Sequence, residues 1–358
     1  MAVPQQRDPA RTLERLASWF GERDPRCTVT SVSVPGSGFS TETLIVDLRR
    51  AGAGERLVIR VAPTVHRVYP WDRFAEQVEV LRVLDKESDL PVPGLRDYEP
   101  DPSVLGAPFL VQDWVDGRVP SDYPSYHRQG WVAELPEPAR RRLWFAGVDM
   151  LARIHLLPLG SVGAGLLDAG GAWRTSTARH LDRYAGQLGF FGCADDEVVS
   201  TALDWLRTHD PGDPVEPGLV WGDARIGNLI FDGTTPVAVL DWEMAAIGQP
   251  EVDLAWYLYL DRNLSEGIGV PRLTGWPDRA ETLAYYERRL GRPVRDLGYY
   301  EVFAGFRFAL VTARVTRLAV DRRMVPPGTD FPLHRNAVAL LARTLAETTA
   351  LPGQDRAR

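Results

Sequence analysis

The chain has 358 residues, 44% of them hydrophobic and 25% charged, enough for two lobes and ordinary for a globular protein. A net charge of −7 with no block of basic residues argues against nucleic acid as a partner, and no apolar run nears the roughly 20 residues of a membrane span. Cys27 and Cys193 are too few for a disulfide framework or a cysteine-rich zinc site. The single lysine, Lys86, follows Asp85, which excludes a Walker A loop and leaves no other lysine for a Schiff base. The opening MAVPQQRDPARTLERL lacks the apolar core of a signal peptide, so a cytoplasmic protein is expected.

Along the chain, Leu13, Leu16, Ala17 and Phe20 recur at helical spacing. The runs CTVTSVSV, TETLIVDLRR and RLVIRVA then read as strands, separated by turns at Pro35-Gly36-Ser37-Gly38 and Ala51-Gly52-Ala53-Gly54. Phe74, Val78 and Leu81 mark one face of a helix, and LGAPFLVQDWV is a further strand-like run closed by Asp116-Gly117. A sheet-rich, nucleotide-binding lobe over residues 1–113 is therefore expected, with a larger lobe over 114–358. In the second lobe helices are expected at 137–157, 175–188, 194–208, 250–262, 278–290, 297–320 and 333–347. Segments 118–135 and 263–277 read as ordered loops.

One stretch breaks the helical pattern. In LVWGDARIGNLIFDGTTPVAVLDW, Leu229-Ile230-Phe231 and Val237-Ala238-Val239-Leu240 read as a hairpin joined by the turn Asp232 to Pro236. Asn228 precedes the first strand and Asp241 follows the second, so the hairpin brings them to one end, roughly 5 Å apart. An amide oxygen and a carboxylate at that separation suit a hard cation such as Mg²⁺. Asp223, five residues before Asn228, is free to face a substrate hydroxyl. Taken singly each residue is an ordinary turn former. In this register they match phosphoryl transfer outside the P-loop class, in which the first Asp accepts the hydroxyl proton and the Asn and second Asp hold metal.

The run VWGDARIGNLIF…VAVLDWEMAAIGQPEVDLAW resembles the aminoglycoside phosphotransferase family, small-molecule kinases of protein-kinase-like fold. The likeness extends from VPGSGFSTETLIV through PVPGLRDYEPDPSVLGAPFLVQDWVDG to GYYEVFAGFRFALV. It implies an α+β, two-lobed fold: a small antiparallel-sheet lobe with one or two helices, and a larger helical lobe. It also implies Asp223 as catalytic base, Asn228 and Asp241 as Mg²⁺ ligands, and ATP or GTP as co-substrate. The family usually has His where this chain has Trp221, a departure expected to change how the loop is braced.

In GSGFST, Gly36, Ser37, Gly38, Ser40 and Thr41 offer backbone N–H groups and hydroxyls to phosphate oxygens. A kinase of this fold needs a cation on the next strand, and Arg60 is the inward candidate, with Glu76 or, in the other helical register, Gln77 to orient it. Gln112, Asp113, Trp114 and Val115 are expected to face the purine. The resemblance implies an apolar Met near Gln112, so a polar side chain there leaves GTP open beside ATP. Arg225 is placed to neutralise the transferring phosphoryl group.

For the acceptor, Glu243 is expected to touch metal or substrate, while Asp253, Trp256 and Glu287 belong to a stretch rich in acidic and aromatic side chains. That stretch includes Glu251, Asp261, Glu266, Asp278, Glu281 and Glu301, and suits a polycationic sugar, a nucleoside or another ringed hydroxyl compound. Asp253, at a helix start, also has a purely structural reading. His155 is expected to be buried and hydrogen-bonded. A metabolic kinase of a choline-, sugar- or hydroxyacyl-type hydroxyl and a non-catalytic nucleotide-binding module remain alternatives.

Overall fold

A computed structural model describes residues 7–35, 41–64, 66–158, 175–321, 325 and 332–350. Helix α1 (Pro9–Arg23) starts where the Asp8 side chain accepts the Arg11 N–H and Pro9 presets the first turn; it buries Leu16, Trp19 and Phe20. Strands β1 (Cys27–Ser33), β2 (Glu42–Arg50), β3 (Ala53–Val61), β4 (Leu95–Glu99) and β5 (Phe109–Asp113) form one antiparallel sheet in the order β1-β2-β3-β5-β4. Helix α2 (Phe74–Glu87) lies between β3 and β4 in the chain. Strict alternation on β3 buries Leu57, Ile59 and Val61 on one face and turns Val58 and Arg60 to the other. Edge strand β4, LRDYE, carries no apolar run and pairs through a register shift, so periodicity does not announce it.

The rest is mainly helical: α3 (Trp131–Glu134), α4 (Glu137–His155), α5 (Ser176–Ala185), α6 (Leu188–Phe191), α7 (Glu197–Thr208), α8 (Glu251–Asn263), α9 (Arg279–Leu290), α10 (Leu297–Asp321) and α11 (Leu333–Ala350). The longer helices fall where the apolar spacing puts them. Two small sheets interrupt them: β6 (Gly218–Val220) with β9 (Ala246–Gly248), and the hairpin β7 (Leu229–Asp232) with β8 (Thr235–Val239). The hairpin turn is tighter than the sequence suggests, since Asp232 already pairs with Thr235 and Pro236 lies within β8 opposite Phe231. The β6–β9 pairing was not expected, because three-residue strands are too short to show a period.

Helix α8 is buried almost along its whole length and organises this region. Near its C-terminal end Asp261 accepts hydrogen bonds from Tyr126 Oη (2.8 Å), Trp276 Nε1 (2.9 Å) and Arg272 Nη2 (2.6 Å), and His127 Nε2 lies 2.9 Å away. One buried carboxylate thus fastens both segments read as ordered loops, 118–135 and 263–277, onto the same helix.

Candidate active site

The loop between β6 and β7 carries the first half of the site, and it is fixed from behind. Asp253, fully buried at the start of α8, accepts the backbone N–H groups of Trp221 (2.6 Å) and Gly222 (2.8 Å). His155 Nε2 stands 3.0 Å from the same carboxylate and its Nδ1 2.6 Å from Tyr286 Oη, so the histidine is the buried, bonded residue expected. The Trp221 indole donates to Leu240 O at 2.8 Å, tying the loop to the residue that follows β8. Gly222 is obligatory: its φ is +90°, and a Cβ there would lie 2.2 Å from Met244 O. Asp253 therefore holds the loop and does not face an acceptor. Asp253→Ala should orphan two buried N–H groups and cost about 3 kcal/mol or more of stability, read by chemical denaturation.

Asp223 receives three donors. Trp256 Nε1 reaches Oδ1 at 2.8 Å, while Asn228 Nδ2 at 2.7 Å and Arg225 Nε at 3.0 Å reach Oδ2. Burial, and then the negative charge of Asp241, push its pKa up to about 7; the Trp256 and Asn228 hydrogen bonds oppose that rise. A carboxylate so poised suits a general base at neutral pH. Arg225 bridges Asp223 and Asp122, a residue that sequence reading did not single out, and burial lowers the Arg225 pKa. Trp256, expected at the acceptor, instead orients Asp223. Beneath it Arg307, fully buried on α10, lies 4.4 Å from the Trp256 ring and donates to Gly222 O at 2.8 Å. A lone arginine inside the apolar run VFAGFRFALV was the available signal for it.

The hairpin supplies the second half. Leu240 N donates to Asn228 O, which sets Asn228 and Asp241 at one end of β7–β8, as the register predicts. With the Asn228 Nδ2 spent on Asp223, its Oδ1 takes no hydrogen bond from any described residue. Asp241 sits at φ +61° and pairs with Arg60 Nη2 at 3.1 Å. Two oxygen donors of this kind fit Mg²⁺, which needs few protein ligands when phosphates and water complete its shell. Among the described residues there is no cluster of three or more metal-type side chains.

Arg60 reaches the site from the half-buried face of β3 and also donates to Thr41 Oγ1 at 2.8 Å; Thr41 donates in turn to Glu243 Oε2 at 3.2 Å. Gly36, Ser37, Gly38 and Ser40 lie outside the described residues. The helix register is that of Gln77, which is buried and lines a cavity with Thr41 and Glu243. Glu76 points away and pairs with Arg73, so it does not partner Arg60. Gln112 shares a face with Val58 and is buried, its amide donating to Pro93 O at 3.3 Å. Asp113 pairs with Arg96 and its N–H donates to Gly94 O, while Val115 is half-buried just beyond β5.

The acidic stretch 251–301 is largely spent on internal bonds. Glu251 pairs with Arg292, Glu266 with Arg262, Glu281 with Arg141 and Glu301 with Arg279. Asp278 caps α9, and Glu287 accepts the Val294 N–H at 2.9 Å, bracing a turn and not an acceptor. Tyr69, from the connection between β3 and α2, meets Met244 Sδ through its hydroxyl at 2.9 Å, close to Glu243.

The profile of the "phosphotransferase enzyme family" matches residues 31–285, more than half of the chain. Among solved structures, a protein of Ralstonia eutropha JMP134 provisionally assigned as an aminoglycoside phosphotransferase superposes with a TM-score of 0.70 at 23% identity, over 94% of this chain and 98% of that one. Aminoglycoside phosphotransferase APH(4)-Ia, in a ternary complex with ADP and hygromycin B, gives 0.61 at 16% identity, over 95% and 99% of the two chains. Such identities establish the shared kinase-like α+β fold. Among curated sequences, acyl-CoA dehydrogenase family member 11 of Homo sapiens is 30% identical over 271 residues, 71% of this chain and 31% of its own length. The Gallus gallus protein of that name is 34% identical over 170 residues, 46% and 20% respectively. The chain spans about a third or less of the length of these curated relatives. The chain belongs to the phosphotransferase enzyme family and shares the fold of aminoglycoside phosphotransferases.

Proposed function

We propose that the protein transfers the γ-phosphate of ATP or GTP, with Mg²⁺, to a hydroxyl of a small molecule. The observation that carries this reading is the meeting of Asp223, Asn228 and Asp241 at one end of the hairpin, with Arg60 of β3 already on Asp241. Asp223 takes the acceptor hydroxyl proton as the hydroxyl oxygen bonds to the γ-phosphorus and the β–γ bridging P–O bond breaks to release ADP or GDP, and Arg225 offsets charge on the transferring group. Asn228 and Asp241 would hold Mg²⁺, which when bound would supply charge neutralisation to the phosphates. Arg60 and residues 36–41, with Gly36, Ser37, Gly38 and Ser40 among them, receive the phosphates, and the chain leaving β5 at Gln112, Asp113 and Val115 receives the purine. In this reading residues 1–113 form the nucleotide lobe and 114–358 the catalytic one. Free, buried Cys27 and Cys193 suit a cytoplasmic site of action.

Two acceptor classes remain. A sugar-like antibiotic is supported by the hygromycin B and kanamycin complexes of proteins sharing the fold. A hydroxyacyl-type acceptor is supported by the acyl-CoA dehydrogenase names of the sequence relatives, and by carboxylates in 251–301 that are engaged internally and not offered to a polycation. The second observation concerns this chain's own charges, so we favour the hydroxyacyl class. A transfer assay with Mg·ATP and Mg·GTP against aminoglycosides, sugars, choline and hydroxyacyl thioesters tests it. Phosphorylation of the thioesters and not the aminoglycosides is the expected result. Nucleotide binding without transfer to any hydroxyl would return the chain to a binding module.

A further inference from the structure

A long arginine side chain orients a phosphate well only if something fixes it, because its free rotamers carry about 2 kcal/mol of entropy. The helix after β3 does not do this here. Glu76 is turned away onto Arg73, and the residue in the facing register, Gln77, is neutral. Arg60 Nη2 instead lies between Asp241 Oδ1 and Thr41 Oγ1, and the Thr41 hydroxyl, while accepting from Arg60, gives its proton to Glu243 Oε2. A hydroxyl has one proton and two acceptor lone pairs, so both bonds form at once, and the carboxylate polarises the oxygen that Arg60 grips.

The segment following Asp241 is held to the sheet side at three successive residues. Glu243 takes Thr41, Met244 takes the Tyr69 hydroxyl, and Ala245 O takes Arg73 Nη1 at 3.1 Å. Thr41 and Glu243 are 202 residues apart, so their bond exists only when the sheet is seated on the catalytic segment. Asp241 is the carboxylate assigned to the metal, which leaves the Thr41–Glu243 pair as the support for Arg60 that does not compete with it.

We propose that Glu243, acting through Thr41, is the positioning carboxylate for Arg60, in the place where the family resemblance implies a helix carboxylate. This rests on the reading of Arg60 as a ligand of the nucleotide phosphates. Glu243 is then a positioning residue for the nucleotide and not a contact of the acceptor.

Calorimetry with Mg·AMP-PNP and Mg·GMP-PNP tests the proposal without any acceptor. Thr41→Val and Glu243→Ala should each weaken binding roughly tenfold, the scale of losing one charge-assisted hydrogen bond. The double variant should bind no more weakly than either single one, because the two side chains act as one unit. Thr41→Ser should keep near-full affinity and Glu243→Gln part of it, and thermal unfolding reports whether each variant is folded. In an Arg60→Ala background, Glu243→Ala should add no further loss. Full affinity in both single variants, losses that multiply, a Glu243 effect that survives without Arg60, or a change confined to the acceptor KM would each overturn it. Unchanged affinity in Arg60→Ala overturns both this inference and the role given to Arg60. A wild-type enzyme showing the coupling but transferring no phosphate would instead sink the proposed function alone.

Discussion

Asp223→Asn should abolish turnover while leaving nucleotide affinity within a few-fold. The carboxylate sits among three donors that fix it in one orientation, and the amide keeps the shape but cannot take a proton from the acceptor hydroxyl. Loss of a general base costs about 10²–10⁴ in rate, more where the group also positions the acceptor. The amide nitrogen would also face Trp256 Nε1 or Asn228 Nδ2, donor against donor, so the loop should loosen slightly and Tm fall. The base works only when ionised, and its pKa is raised to about 7 by burial and by Asp241. Wild-type activity should therefore be present above that pH and decline as the pH falls through it. A variant with near-normal kcat would remove Asp223 from the chemistry.

Asp241→Ala should remove the Mg²⁺ dependence of nucleotide binding. It deletes the carboxylate assigned to the metal at the hairpin end, and it also frees Arg60 from its 3.1 Å ion pair. Losing an outer partner of a metal site costs roughly 10–100-fold in affinity, and losing the ligand itself should exceed that. Titration of ATP and GTP with and without Mg²⁺ measures it. An unchanged metal dependence would make Asp241 a turn residue held in an αL conformation, φ +61°, for its own sake.

The parts legible in the sequence are those encoded by local pattern. The helices follow their apolar period, and the Asp223, Asn228, Asp241 arrangement is visible because two apolar strands stand between Asn228 and Asp241, although the turn joining them is two residues and not five. What stayed hidden depends on partners far along the chain. Trp256 was read as an acceptor contact, and nothing in its own neighbourhood says that its indole meets Asp223, 33 residues earlier. Asp253 and Glu287 were grouped with acceptor residues by composition, but backbone N–H groups claim both. Of Glu76 and Gln77, about 100° apart on the helix, Gln77 is the buried one and Glu76 pairs with Arg73, and neither fact can be read from the apolar period. The bond from the Gln112 amide to Pro93 O is likewise invisible to periodicity.

Trp221 shows how a departure from a pattern is absorbed. Its backbone N–H still meets Asp253, and its indole reaches Leu240 O, so the loop is clamped to both α8 and the hairpin. A large ring braces the loop here, and the carboxylate two residues on has three donors.

A single-turnover experiment, with enzyme in excess over γ-labelled ATP or GTP, Mg²⁺ and the panel of hydroxyl compounds, tests the central claim most directly. The account predicts label in a phosphoester of one acceptor class with the wild-type enzyme, formed at least about 10²-fold more slowly by Asp223→Asn. Equal rates in the two enzymes, or no labelled ester from an enzyme that binds the nucleotide, would contradict it.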